Sequence, residues 1–307
     1  MEILEKVVEE LKEKTKKECI RIISEPCEDM TIYQSKFGGV PYIPDNFEYP
    51  YSRSHPEQPL KLLAQINFAD VPQIEDFKHL KGILQIYINP DDDRWYGCDQ
   101  VIEEELSYYS SFFRPYSSDK VTDVVKKHYD DLKSFEPQSD CCNEYRIIYH
   151  EDVDYSVDNT DKIPEIRYDN NQHYGFIAKQ PQKMIFKKEI EYLPYGTINH
   201  DDEFDKAFLE IYNKYADEEV DEVEDIEDAQ WYIEQNFTSY ARHKIGGYRN
   251  DIHDAQWDAS NKWVLLLQIG SDKYMRWGDD GVAHFEMSRE LLKNLGFDKV
   301  HYDWSCY

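Results

Sequence analysis

At 307 residues, with 40% hydrophobic side chains and an aromatic share of 15%, the chain carries enough apolar material for a sizeable core and is not a disordered polymer. Its 63 acidic and 35 basic residues leave a formal net charge of −28. A field of that sign repels nucleic-acid phosphates and anionic lipid, and attracts basic proteins and cations.

No apolar run approaches the length of a membrane span, and the start of the chain, charged from Glu2 onward, lacks a signal-peptide core. A cytoplasmic protein is therefore expected, with neither membrane nor nucleic acid as partner. The six cysteines, at 19, 27, 98, 141, 142 and 306, form no C-x-x-C pair and no zinc spacing. Adjacent Cys141 and Cys142 suit neither an ordinary disulfide nor two ligands of one tetrahedral ion. Free thiols are expected, and no metal or cofactor. The 25 tyrosines against 14 phenylalanines suit half-buried sheet faces, where a ring is covered and its hydroxyl stays wet.

In chain order, residues 2–18 set Ile3, Leu4, Val7, Val8 and Leu11 on one stripe of an amphipathic helix. Cys19 to Ile23 reads as a short strand ended by Pro26. From Ser35 to Pro50, Gly38-Gly39 and the prolines at 41, 44 and 50 imply an ordered loop. Strands follow at 61–68 and 82–89, with a helical turn from Pro72 to Leu80 between them. Val121 to Leu132 has helical spacing, while Tyr145–Tyr149 and Lys183–Tyr192 read as strands separated by polar loops over 151–182. A helical block starts at Asp201, with Asp201 and Asp202 as caps and Phe204, Phe208, Leu209, Ile211 and Tyr212 as its apolar face. Asp217 to Asp228 is acidic at nine of twelve positions, yet Val220, Val223 and Ile226 recur every third residue. The expectation there is an acidic helix with a thin apolar stripe. Two more strands, a short helix near Ser288–Leu295 and a strand at Lys299–Trp304 close the chain.

One phrase occurs twice. Ser35-Lys36-Phe37-Gly38-Gly39 returns as His243-Lys244-Ile245-Gly246-Gly247, and each copy is followed by an apolar run with a glutamine in the same place, Gln65 and Gln268. A glycine-led strand then follows each run, from Gly82 and from Gly281. The expected fold is therefore α+β and mainly β: one compact unit with an internally duplicated, pseudo-twofold β module (halves near 31–100 and 240–307), a variable middle and flanking helices.

Paired glycines imply positive φ or a close approach. Their amides, with Lys36 or Lys244, form a weak candidate anion site, set against a plain structural turn. A glutamine inside a buried strand must be hydrogen-bonded, by backbone at an irregular place or by a ligand in a shared cavity. Trp277 and His284 complete the candidate lining of such a cavity. Arg94-Trp95-Tyr96-Gly97 echoes Arg276-Trp277-Gly278, but out of repeat order. Counted from Asp92 the loop resembles a calcium loop, with Gly97 and Glu103 in place, yet Arg94 and Tyr96 occupy ligand positions and exclude it. His243, His253-Asp254 and His200 match no catalytic spacing, and H-E-x-x-H, G-x-S-x-G and G-x-G-x-x-G are absent.

The phrases SKFGGVPYIP, LLAQINFADVP, GILQIYI, HKIGGY, LLLQIGSDKYMRWGDDG and FDKVHYDWSC resemble the YwqG-like family of uncharacterised, mostly bacterial proteins. Together they cover about a fifth of the chain, with 98–200 matching loosely. Arg249 stands where similar proteins continue with proline. The resemblance implies a β-rich α+β unit and brings no established activity, cofactor or catalytic residue.

Two functions remain in view. The first is a non-catalytic acidic binding protein that captures a basic protein, for example as antidote to a basic toxin domain. Its surface would be Asp217, Glu218, Glu219, Asp221, Glu222, Glu224, Asp225, Glu227 and Asp228. The alternative is a small-molecule binder or enzyme with a pocket between the two repeats, lined by Lys36, Gly38, Gly39, Gln65, Lys244, Gly246, Gly247, Gln268, Trp277 and His284.

Overall fold

The computed structural model describes residues 2–52, 56–89, 96–97, 144–166, 180–195, 201–240, 242–252 and 263–306. The helix expected at Val121–Leu132 lies outside these residues. So do Arg94, Trp95, Cys98, Glu103, Cys141, Cys142, His200, His253 and Asp254, and the side chains of Asp201 and Asp202.

Helix α1 (Glu2–Thr15) buries Leu4, Val7, Val8 and Leu11, a stripe at helical spacing, with glutamates in its first turn and lysines in its last. Strand β1 (Lys17–Pro26) runs further than the β-branched core of its sequence, because it pairs along its whole length with β6 (Gln182–Glu191). The remaining strands are β2 (Lys36–Phe37), β3 (Lys61–Asn67), β4 (Ile83–Ile88), β5 (Tyr145–His150), β7 (Lys244–Gly246), β8 (Trp263–Gly270), β9 (Val282–Ser288) and β10 (His301–Ser305). The loop expected over 35–50 is thus interrupted by a two-residue strand, inserted between β6 and β3.

All ten strands form one antiparallel sheet in the order β10-β9-β8-β7-β1-β6-β2-β3-β4-β5. Outward from its centre the sheet reads alike in both directions: β2-β3-β4-β5 beyond β6, and β7-β8-β9-β10 beyond β1. The likeness extends to register. Lys36 stands opposite Gln65 and Lys244 opposite Gln268, and a bulge falls between Leu62 and Ala64 on one side and between Leu265 and Leu267 on the other.

The sheet curls until its edges meet. The Tyr145 hydroxyl donates to the Val300 carbonyl at 2.9 Å, and the Tyr149 and Phe297 rings are 4.5 Å apart. The inner face of the curl holds the main core, with Ile66, Leu84 and Ile86 from one half and Leu267, Phe285 and Trp277 from the other. A second core joins α1 to α2 (Asp201–Asn213) and α3 (Ala229–Phe237) through Phe204, Phe208, Ile211 and Ile233. A short helix, α4 (Arg289–Lys293), follows β9 and is capped by the Ser288 hydroxyl, which accepts from the Leu291 N–H. Among the described residues no helix is long and apolar enough to cross a membrane.

The acidic segment 217–228 is not an α-helix. It is an irregular run with one 3-10 turn at Val223–Asp225. Like charges four residues apart, such as Glu218 and Glu222, oppose an α-helix, and apolar side chains every third residue fit three residues per turn. The Asn213 amide ties down both the N–H and the carbonyl of Val220, while Val223 and Ile226 insert into the second core.

Candidate functional site

The duplicated phrase builds the same clamp twice. In both copies the two glycines take positive φ: 62° and 75° for Gly38 and Gly39, 70° and 78° for Gly246 and Gly247. The chain turns back over the outer face of the sheet, and the buried glutamine catches it. Gln65 Oε1 accepts from the Tyr42 N–H at 2.8 Å, and its Nε2 donates to the Gln34 carbonyl at 3.0 Å. Gln268 does the same with the Asn250 N–H at 2.9 Å and the Arg242 carbonyl at 3.0 Å. On the neighbouring strand Gln85 Nε2 donates to the Tyr42 carbonyl at 2.7 Å, and His284 Nε2 meets the Asn250 carbonyl at 3.0 Å. Both glutamines are therefore engaged with backbone at an irregular place.

The lysines diverge. Lys244 Nζ is 2.9 Å from Glu191 Oε2 and 2.8 Å from Asn250 Oδ1. Burial pushes the Glu191 carboxyl up, but Lys244, the Tyr248 N–H and Arg242 outweigh it and hold the group below its ordinary value. Lys36 instead donates to the Thr31 and Val40 carbonyls at 2.9 and 2.6 Å, and burial alone brings its pKa down to about 8. Neither ammonium is spare for the anion expected at these turns. In the second turn Glu191 takes that place: a Cβ on Gly247 would stand 2.3 Å from Glu191 Oε2.

The ten candidate ligand-binding residues are not brought together into one pocket. Lys36, Gly38, Gly39 and Gln65 belong to one clamp, Lys244, Gly246, Gly247, Gln268 and His284 to the other, and β1 and β6 run between β2 and β7. Trp277 is buried in the inner core, edge-on to Tyr96 at 5.5 Å.

A charged cluster missed at the level of sequence sits under the second clamp. Arg249, 4% exposed, reaches Asp251 at 2.6 Å, Glu286 at 2.7 Å and Asp303 at 2.7 Å. His284 Nδ1 lies 3.2 Å from Asp303. Three carboxylates share one guanidinium, and two of them, Glu286 and Asp303, hold their protons very differently. Burial raises the Glu286 carboxyl to about 8, with Arg249 only partly opposing it. For Asp303, burial is outweighed by Arg249 and His284, and its carboxyl falls far below the usual range. At the matching places of the first half stand Pro41, Ile43, Tyr87 and Ile148; Tyr87 packs there with Leu60 and Leu62, and Ile148 against them. The signal in the sequence was His284 and Glu286 at alternate positions of an apolar strand, together with Arg249 in place of proline.

The outer ends of β7 and β8 meet the turn at 74–76 and α4 in a cleft of about 130 Å³, with Gly246 and Gly247 in its lining. Elsewhere, all nine carboxylates of the segment 217–228 are exposed, and they form no ion pair among the described residues. Exposed Tyr215 precedes the segment, and Trp231, 59% exposed, follows it.

A model of a domain of unknown function, DUF1963, matches residues 35–306. The chain belongs to that family. No curated protein matches it. The DUF1963 match begins at the first residue of the duplicated phrase, so both clamps, the arginine cluster and the acidic segment fall inside it. Helix α1 and strand β1 precede it, although β1 pairs with both β6 and β7. Cys19, Cys27 and Cys306 carry free thiols.

Proposed function

We propose that this DUF1963 protein is a non-catalytic, cytoplasmic binding protein, and that its partner is a basic protein docked on the surface of residues 215–231. The observation that carries the reading is the pairing of opposites in that segment. Val223 and Ile226 are buried and hold the backbone in place, while nine carboxylates and the Trp231 ring face solvent. A large aromatic side chain set among charges has the make-up of an interface anchor and its polar rim. Uncompensated carboxylates attract a basic surface, and the overall charge of −28 would speed its approach. An antidote that covers a basic toxin domain is one specific form of this function. Membership of the YwqG-like branch is part of the same proposal.

Photo-crosslinking from position 231 in the protein's own cytoplasm tests it, followed by titration of the purified captured protein. The expected product is a basic protein whose affinity falls steeply with added salt. Capture should be lost when Glu218, Glu219, Glu222 and Glu224 are changed to lysine and should weaken with Trp231→Ala. Equal capture by the charge-reversed variant, or an acidic captured protein, refutes the proposal.

A further inference from the structure

The cleft beside the second glycine pair carries an inference independent of the acidic surface. Its lining includes two basic and three acidic side chains: Lys17, Arg289, Glu18, Glu75 and Asp76. Four of these charges are answered locally. Arg289 pairs with Asp76, Glu18 with Lys188 at 2.5 Å, and Glu75 with Lys78 at 2.7 Å. Lys17 is the remainder. Its ammonium stands 3.9 Å over the Tyr248 ring and, among the described residues, makes no hydrogen bond or ion pair. A ring face stabilises a cation but leaves its N–H donors unused on the open side.

Ile74, Val264 and Leu265 supply an apolar wall of the cleft. Gly246 lets this wall close, since a Cβ there would stand 2.9 Å from Ile74 Cδ1. We infer that the cleft binds a small monocarboxylate, with its carboxylate on Lys17 and a short alkyl chain against Ile74, Val264 and Leu265. Charge and size both narrow the ligand. One ammonium that makes no hydrogen bond, with Glu203 and Asp76 attracting it from a distance, accommodates one negative charge among these carboxylates, and a dianion such as phosphate would be repelled. A volume near 130 Å³ has room for roughly four waters' worth of ligand, which suits a chain of a few carbons.

The test is titration of the full chain at constant ionic strength with sodium butyrate and, separately, with butyramide, its uncharged analogue. Thermal stability is followed, and hydrogen exchange maps the site. Butyrate should raise the melting temperature at millimolar concentrations and butyramide should not. Lys17→Met should weaken butyrate binding at least about tenfold, and Lys17→Arg should retain it, since one lost charge-assisted contact corresponds to a change of that order. Hydrogen exchange should slow at residues 74–76 and 246–248 in the unmutated protein, a readout that holds even if Lys17→Met fails to fold. No stabilisation by butyrate up to about 50 mM, equal binding by Lys17→Met, or protection confined to other regions would overturn the inference.

Discussion

Removing the guanidinium of Arg249 should be among the most damaging single changes in this protein. In Arg249→Met, two buried carboxylates and the half-buried one of Asp303 lose bonds of 2.6, 2.7 and 2.7 Å. Hydrogen bonds to a charged partner contribute about 1.5–3 kcal/mol each, which bounds the loss at roughly 4.5–9 kcal/mol. Proton uptake limits it. Protonating an ordinary aspartate at pH 7 costs about 4 kcal/mol, and Glu286, with its pKa near 8, is already largely protonated. The expected loss is therefore about 4 kcal/mol, the size seen when one partner of a buried ion pair is removed.

The same reasoning fixes a pH dependence. In the variant an aspartate that has lost Arg249 has a folded pKa above its unfolded one, so stability is gained as pH falls. The gap to the unmutated protein should close by up to about 1.4 kcal/mol per pH unit between pH 7 and 5. Urea denaturation at pH 7, 6 and 5 reads both quantities. A loss below about 1 kcal/mol at pH 7, or a gap that does not shrink, would refute the account of the cluster.

Glu286→Gln tests the neighbouring claim. A carboxyl raised to about 8 in the fold makes the unmutated protein lose stability as pH rises from about 5 to 8, and the amide should flatten that slope in thermal melts. Copying the first half into the second, with Arg249→Pro, Asp251→Ile, Glu286→Tyr and Asp303→Ile together, should leave stability within about 2 kcal/mol of the original, because apolar packing replaces a whole charge cluster. Gln65→Leu or Gln268→Leu should each destabilise by about 2–4 kcal/mol in urea, as buried backbone donors and acceptors lose their partner. Gly247→Ala, which combines a φ of 78° with a contact 2.3 Å from Glu191 Oε2, should lose more stability than Gly39→Ala, where the nearest atom is 3.1 Å away.

The strands flanking each clamp were legible because periodicity and apolar runs are local signals, and both runs carry a glutamine that a buried strand tolerates only with partners. Pairing order was legible only through the repetition; nothing local announces that β1 and β6 separate the halves. The acidic segment was misread because its apolar spacing of three lies close to helical spacing, while the repulsion between its carboxylates weighs against a helix. The ammonium of Lys244 looked available for an anion because its partner, Glu191, is far away in sequence and arrives only through β6. The arginine cluster lay hidden for the same reason: Arg249, Glu286 and Asp303 come from a loop and two strands, and only the fold makes them neighbours.

Strand β1 has a consequence for how the domain is delimited. It pairs along one side with β6 and on the other with β7, yet it lies before Ser35, where the family match starts. A chain trimmed to begin at Ser35 would lose its keystone. Two five- and four-stranded panels would face each other across a gap, each with a raw hydrogen-bonding margin inviting a foreign strand. Such a fragment should clump or swap segments between copies, and adding back a peptide spanning Lys17–Pro26 should suppress that association.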